Sequence, residues 1–294
     1  MTALRIALVS AGMSMLLAGA GADLVASSAT DSEGDALAGS SLTAVPAAVT
    51  RVAALPVAQA GPRPPRRPLL RSLTSPAALR RARSYAQSRA GTVSFAVLEP
   101  GRRVHGLRRT AVYPSASVVK AMLLVAVLRR AGARPLGSQE RALLEPMVMV
   151  SDNAAALAVY ASVGKAGLWR VARAARMQHF GGVPALFDAQ ITAADQARLF
   201  LRIDRLVPPA HRAFARRLLS SIVGWQRWGI APVAKHLRLK AFFKGGWRSG
   251  LVHQVALLER GGRRLALAVL TLGEPSMAYG EQTISGIAAR VLAR

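Results

Sequence analysis

The chain has 294 residues, 52% of them hydrophobic, which is enough for a large core in one two-lobed domain or in two domains. It contains no cysteine, which excludes disulfides and a lipidated cysteine. The formal net charge is +26, and because basic and acidic residues cancel within residues 1–66, the excess lies beyond them. Such a charge favours anionic wall polymers or lipid surfaces as partners, although a general drift towards arginine would give the same composition.

The first residues have the pattern of a secretory signal, which we place at 1–22. Arg5 supplies a short positive region, residues 6–18 are apolar and Ala-rich, and small residues at 20–22 precede Asp23. We therefore expect an exported protein with a cleaved signal. Because a single arginine is a weak flank, an uncleaved anchor is the alternative, although the apolar stretch is short for a permanent membrane span.

A linker is predicted to follow the signal. Residues 23–68 are rich in Ala, Ser, Pro and Gly, a composition that cannot bury enough apolar surface to order itself. We therefore predict a disordered linker at 23–68 and a folded domain at 69–294. The domain opens with a helix, because Ser75 has the sequence context of an N-cap and Pro76 suits the first helical position.

Beyond this helix the sequence alternates between strand and helix patterns. We predict strands over 92–98 and 104–110, a mainly helical region over 117–219, three strands over 237–243, 251–258 and 263–272, and a closing helix. Two glycines, at 261 and 262, join the last two strands in a tight hairpin. Such connections predict an antiparallel sheet of about five strands. The fold class is therefore α+β, with two lobes and a site in the cleft between them.

One short stretch, from Ser117 to Lys120, combines a helix start with a buried charge. Pro114 precedes it, and the helix that follows is almost wholly apolar as far as Leu128. A lysine in such a helix is unfavourable unless it has partners or loses its proton. A neutral amine one turn from a serine can accept the hydroxyl proton, as nucleophilic catalysis requires. The alternative is a helix cap beside a lysine that reaches solvent.

Two further motifs follow along the chain. A Ser-Asp-Asn run at 151–153 lies between helical segments, and since all three residue types favour helix starts, a simple cap is the alternative interpretation. A Lys-Gly-Gly run at 244–246 ends the strand predicted over 237–243. Lys120 and Lys244 stand out against a background of arginine, because only five of the 40 basic residues are lysines.

Together these motifs resemble those of the class A β-lactamases and the related penicillin-binding proteins, namely S-x-x-K, S-D-N and K-T-G. The resemblance covers residues 72–294 in motif order, spacing and context. It implies a β-lactamase-like fold with an antiparallel sheet flanked by the N- and C-terminal helices, plus an all-helical lobe. It also implies a serine hydrolase that passes through an acyl-enzyme.

The resemblance assigns a role to each motif residue. It implies that Ser117 is the nucleophile, Lys120 its base or base organiser, Ser151 the proton relay to the leaving nitrogen, Lys244 the charge that meets the substrate carboxylate, and Asn153 the partner of the substrate amide. Backbone N–H groups of Ser117 and Trp247 would form the oxyanion hole, with Gly246 beside them. Asp152 would be structural.

The chain departs from the family pattern at two points. Gly245 replaces the Thr or Ser whose hydroxyl binds the substrate carboxylate, and Arg248 or Ser249 could substitute for it. The deacylating Glu of the family's E-x-x-L-N loop is missing, because residues 178–191 contain no Glu and only one acid, Asp188. Asp188 is the candidate substitute base.

We expect from these observations an exported serine hydrolase that acylates with a β-lactam or a related wall peptide and deacylates slowly. The alternative is an impaired relative that binds wall polymer or peptide without turnover. No cofactor or metal is expected, since the five His residues show no metal-ligand spacing. No nucleic-acid partner is expected either, because no recognition motif is present, and the protein should be a monomer.

Overall fold

A computed structural model describes residues 72–293 of the chain. The predicted signal peptide at 1–22 and the linker at 23–68 lie outside the described residues. Within them, no helix has both the length and the apolar character needed to cross a membrane.

The described residues form seven strands and eight α-helices. The strands are β1 Thr92–Leu98, β2 His105–Leu107, β3 Val112–Pro114, β4 Gln190–Thr192, β5 Lys240–Arg248, β6 Leu251–Arg260 and β7 Arg263–Leu272. The helices are α1 Pro76–Gln87, α2 Val119–Ala131, α3 Ser138–Met149, α4 Asn153–Ala174, α5 Ala193–Leu206, α6 Arg212–Ser220, α7 Ile230–His236 and α8 Met277–Leu292.

Five of the strands form one antiparallel sheet in the order β2-β1-β7-β6-β5, which confirms the prediction of a sheet shared by both ends of the chain. The hairpin between β6 and β7 turns at Gly261 and Gly262, whose φ angles of 56° and 74° suit the primed turns of tight hairpins. A separate ribbon pairs β3 with β4. Strand β5 lies at the edge of the main sheet, where one side of its backbone is available to a neighbouring element.

The helices divide into those that cover the sheet and those that form a second lobe. Helices α1 and α8 pack against each other and against the sheet, and α5 packs against β1 and β7. Helices α2, α3 and α4 pack mainly on one another. Helix α1 begins as predicted, with the Ser75 hydroxyl accepting a hydrogen bond from the Ala78 N–H and Pro76 in the first turn. The α+β architecture with a helical lobe is therefore confirmed.

Strand β5 differs from its predicted bounds of 237–243. The chain is still completing the end of α7 at Leu237, and the strand runs from Lys240 to Arg248. The Lys-Gly-Gly run at 244–246 therefore lies inside the strand rather than at its end. A contact distant in sequence explains the difference, since β5 continues past its glycines along the turn that carries Ser117.

Candidate active site

Ser117 lies in a 3-10 turn, Ala116–Val118, that leads directly into α2. The preceding Ala116 has a φ of 42°, a left-handed conformation that is unfavourable for a residue with a side chain. Such strain is found where the surrounding structure holds a functional group in place. The Ser117 side chain remains partly exposed at the surface of this turn, while its neighbours on both sides are buried.

The turn before Ser117 is held by two buried polar side chains. The His253 Nε2 atom of β6 lies 3.0 Å from the Pro114 carbonyl oxygen, and burial lowers the pKa of this histidine to about 4. The Ser115 hydroxyl donates to the Phe187 carbonyl at 3.2 Å and so ties the turn to the loop over 178–191. These contacts give His253 and Ser115 the structural role of holding the turn in place.

Lys120 lies in the first turn of α2 and is completely buried. Its Nζ atom donates to the Ser151 carbonyl at 2.6 Å, the Asn153 Oδ1 at 2.7 Å and the Ser151 Oγ at 3.1 Å. Burial lowers the pKa of Lys120 to about 8, against the opposing attraction of the Asp152 carboxylate. The neutral amine, the form that can accept a proton, is therefore much more populated near neutral pH than in an ordinary lysine, although the charged form still predominates.

The Ser-Asp-Asn run places Ser151 between two lysines. Ser151 has a φ of 61°, so this backbone too is held in a left-handed conformation. Its Oγ atom lies 3.0 Å from the Lys244 Nζ as well as 3.1 Å from the Lys120 Nζ. Asp152 caps α4 through a 2.6 Å hydrogen bond from the Ala155 N–H, which agrees with the structural role predicted for it.

Lys244 reaches the same hydroxyl from the edge strand. It is completely buried, and its Nζ atom also donates to the Gly245 carbonyl at 2.8 Å. Burial, and then repulsion by Lys120, hold the pKa of Lys244 well below its usual value. Two buried amines on one hydroxyl form a continuous path along which a proton can pass through Ser151.

The strand backbone approaches the nucleophile closely at Gly246. A Cβ atom added there would lie 2.8 Å from both the Ser117 and the Val118 backbone nitrogens, so any side chain would collide with the turn. This approach explains why the second glycine of the motif is required. It also brings the strand next to the Ser117 N–H, one of the two predicted oxyanion donors, with Trp247 following in the strand.

Gly245 has a different explanation, which the sequence did not reveal. A Cβ atom at this position would lie 3.0 Å and 3.1 Å from the Cη2 and Cζ2 atoms of the Trp228 indole. A Thr or Ser side chain at this position would therefore press against the indole, which would have to shift by a few tenths of an ångström. The loss of the family's hydroxyl and the presence of Trp228 are two parts of one packing arrangement.

The loop over 178–191 reaches the site through its 3-10 turn, Leu186–Asp188. The Phe187 ring centroid lies 5.2 Å from the Lys120 Nζ, so the loop presents an aromatic face to the amine. The buried Asp195 carboxylate fixes the start of the loop, because it accepts from the Gln178 N–H at 2.8 Å and the His179 N–H at 2.6 Å.

Asp188 and Arg248 face each other across this region. Their side chains form an ion pair of 2.7 Å and are 42% and 48% exposed, respectively. The two groups predicted as substitute base and carboxylate ligand are thus partners of each other. Ser249 lies beside them in the exposed turn between β5 and β6, whereas Asn153 binds Lys120 from the first position of α4.

Sequence reasoning missed Phe187 and Trp228, which arrive from distant segments and gave no signal in the sequence. It also missed the contact of Ser115 with the loop, for which the one available signal was its place two residues before Ser117. Among residues 72–293, no group of three or more His, Asp or Glu side chains is placed to hold a metal ion.

Comparison with known proteins identifies the family. The profile described as the beta-lactamase enzyme family matches residues 137–294, more than half of the chain. The chain belongs to the beta-lactamase enzyme family. No curated protein matches the sequence.

Solved structures of the family share the fold. A β-lactamase from Sphaerobacter thermophilus DSM 20745 is 20% identical, with a TM-score of 0.63 over 73% of this chain and 95% of that one. PBP-A is 16% identical, with a TM-score of 0.64 over 78% and 97%. A mutant of PBP-A, described as its acyl-enzyme complex with penicillin-G, is 17% identical, with a TM-score of 0.62 over 78% and 98%.

Proposed function

We propose that this protein is a serine hydrolase that forms an acyl-enzyme on Ser117 with a β-lactam or a related wall peptide and deacylates slowly. The observation that supports it best is the linkage of Lys120, Ser151 and Lys244 by direct hydrogen bonds beside the Ser117 turn. These groups supply a base, a proton relay and a positive charge, as amide acyl transfer requires.

Acylation can be written with these groups alone. Neutral Lys120 takes the Ser117 hydroxyl proton as the serine oxygen forms a bond to the substrate carbonyl carbon. The developing oxyanion is stabilised by the Ser117 and Trp247 N–H groups. The proton then passes from Lys120 through Ser151 to the substrate nitrogen as the carbon–nitrogen bond breaks. Lys244 supports the relay and attracts the substrate carboxylate.

Deacylation lacks a matching base. The loop that carries a glutamate in the class A pattern presents Phe187 to Lys120, and its only carboxylate, Asp188, is paired with Arg248. A lost general base lowers a rate by about 10²–10⁴-fold. The same observation favours the second candidate function, a protein that binds wall polymer or peptide in this cleft and does not turn it over.

Intact-mass analysis after incubation with a fluorescent penicillin tests the proposal. The wild-type protein should gain the mass of one intact penicillin, since ring opening retains all its atoms. Ser117→Ala should gain none, and Lys120→Ala should acylate about 10²–10⁴-fold more slowly. An adduct on Ser117→Ala would reject the nucleophile, and a wild-type protein that neither forms an adduct nor consumes the penicillin would favour the binding function.

We also propose that the protein is exported by its N-terminal signal and that its basic surface contacts an anionic wall polymer or lipid. Two adjoining cavities of about 540 and 360 Å³ share Arg238 and Lys240 and are also lined by other cations, including Lys235 and Arg263. Retention on polyphosphate and on phosphatidylglycerol vesicles should fall as salt rises. Preference for one of the two surfaces would identify the partner, and salt-independent retention would reject an electrostatic contact.

A further inference from the structure

Three of the four tryptophans in the chain gather in one cluster beside the candidate active site. The ring centroids of Trp225 and Trp247 are 5.8 Å apart, and those of Trp228 and Trp247 are 6.0 Å apart, both in edge-to-face geometry. Edge-to-face contacts orient aromatic rings as well as burying them. Trp247 therefore fixes the position of the outer ring, Trp225.

Backbone contacts place this cluster next to Ser151. The Val223 N–H donates to the Met149 carbonyl at 3.1 Å, and the Gln226 side chain donates to the Val150 carbonyl at 2.9 Å. The segment that carries Trp225 therefore bridges two parts of the site. At one end it is hydrogen-bonded to the residues just before Ser151, and at the other it contacts Trp247, the residue after Gly246. The cluster flanks the side of the site where Ser151 and Lys244 meet.

The outer ring is unusually exposed for its size. Trp225 is 65% exposed, the largest value for any large apolar side chain among residues 72–293, and Val150, whose carbonyl accepts from the Gln226 side chain, is 44% exposed. Ligand-binding surfaces typically contain exposed aromatic rings of this kind, which a neighbouring side chain orients at the rim of a site. Packing alone does not account for Trp225, because most of its surface contacts solvent.

We propose that Trp225 and Trp247 form a ring-binding subsite for the leaving portion of the substrate. This inference rests on the proposed function, in which Ser151 protonates the leaving nitrogen and Lys244 attracts the carboxylate. The substrate atoms next to Trp225 are then those of the carboxylate-bearing part, not those of the acyl chain. The ligand class is a substrate that carries an aromatic or other flat apolar ring on that part.

The test compares two cephalosporins that share one acyl side chain and differ only at C3, where one has a methyl group and the other an aromatic ring. The measured quantity is the ratio of their second-order acylation rate constants, aryl over methyl. A stacked ring should raise this ratio in the wild type to about tenfold. Trp225→Ala should return it to about one, whereas Trp225→Phe should keep most of the preference because an aromatic face remains.

Trp169→Ala is the matched control, since Trp169 is also an exposed tryptophan, at 38%, in an edge-to-face pair, with Phe180. It should keep the wild-type ratio, and unchanged thermal unfolding of both alanine variants would show that they fold. A wild-type ratio near one, or an equal fall of the ratio in both alanine variants, would overturn the subsite while leaving acylation intact. Failure of both compounds to acylate the wild type would instead overturn the proposed function, and the subsite with it.

Discussion

The two sides of the candidate site differ in kind. On one side, Lys120, Ser151 and Lys244 are joined by direct hydrogen bonds and are supported by strained backbone at Ala116 and Ser151. On the other side, the loop over 178–191 contributes an aromatic ring and an ion pair that is half exposed. The first side has the groups that the proposed acylation uses, whereas the one carboxylate of the loop, Asp188, is held in an ion pair with Arg248.

Under the proposed function, this difference separates the two chemical steps. Acylation would use groups in the Ser117 turn, in α2, in the loop before α4 and in β5, which the packing of the two lobes brings together. Deacylation would depend on a single side chain in a loop, so one change there would alter turnover without disturbing the fold.

The acylation rate should depend strongly on pH through Lys120. Because burial lowers the pKa of Lys120 to about 8 and the base must be neutral, the second-order rate constant should rise about tenfold per pH unit below 8 and level off above it. Stopped-flow acylation between about pH 6 and pH 9 measures this profile. A flat profile would remove Lys120 from the role of base. Deacylation that follows the same profile would show that Lys120 serves both steps.

Phe187→Glu should add the base that the loop lacks. The Phe187 ring lies 5.2 Å from the Lys120 Nζ, so a carboxylate at this position could approach the amine and a water beside the acyl bond. The deacylation rate should rise about tenfold or more. Phe187→Gln is the control of equal size without charge, and it should remain slow. Equal rates in the two variants would mean that the missing base does not limit turnover.

Gly245→Thr should destabilise the protein through Trp228. Overpacking against the indole, at 3.0 Å from a new Cβ, should lower the free energy of unfolding by about 1–3 kcal/mol. Trp228→Phe removes the two contacting ring atoms, so the double variant should recover about 1 kcal/mol relative to the sum of the single changes. Urea denaturation of the four proteins in this cycle measures the coupling. If the changes in the free energy of unfolding were strictly additive, the indole would not be the reason that residue 245 is a glycine.

Asp188→Asn should have the smallest effect. The Asp188–Arg248 pair is half exposed, so its loss should change the free energy of unfolding by only about 0.2–1 kcal/mol. If Asp188 is not a base, the rate of the slow phase of turnover should be nearly unchanged in Asp188→Asn. Arg248→Gln removes the same ion pair, so it should change the free energy of unfolding by a similar amount. A deeper block of deacylation in Asp188→Asn alone would identify this carboxylate as the substitute base.

The sequence predicted those parts of the site that depend on local pattern. The apolar run after Ser117 predicted a buried helix and hence an unusual Lys120, and capping preferences predicted the position of Asp152. The extent of β5 was predicted wrongly, because two adjacent glycines look like a strand end. Their actual cause, contact with the Ser117 turn and with Trp228, arises between segments far apart in the chain.

For the loop over 178–191, the sequence predicted only that the family's glutamate is absent. Counting acids over residues 178–191 showed that a glutamate was missing, but not what replaced it. The position of Phe187 depends on the path of the loop, which the buried Asp195 carboxylate fixes through two backbone hydrogen bonds and the Ser115 hydroxyl through one. Such contacts leave no periodic or spacing signal in the sequence.

The most direct test of slow deacylation is a stopped-flow time course of nitrocefin hydrolysis at several enzyme concentrations. The account predicts a burst of ring opening whose amplitude equals the enzyme concentration, followed by a slow steady state. Intact mass taken during the slow phase should show nearly all of the protein as the acyl-enzyme. Rapid linear hydrolysis with no burst and no trapped adduct would contradict the account, because water would then be activated efficiently in a site that we describe as lacking the necessary base.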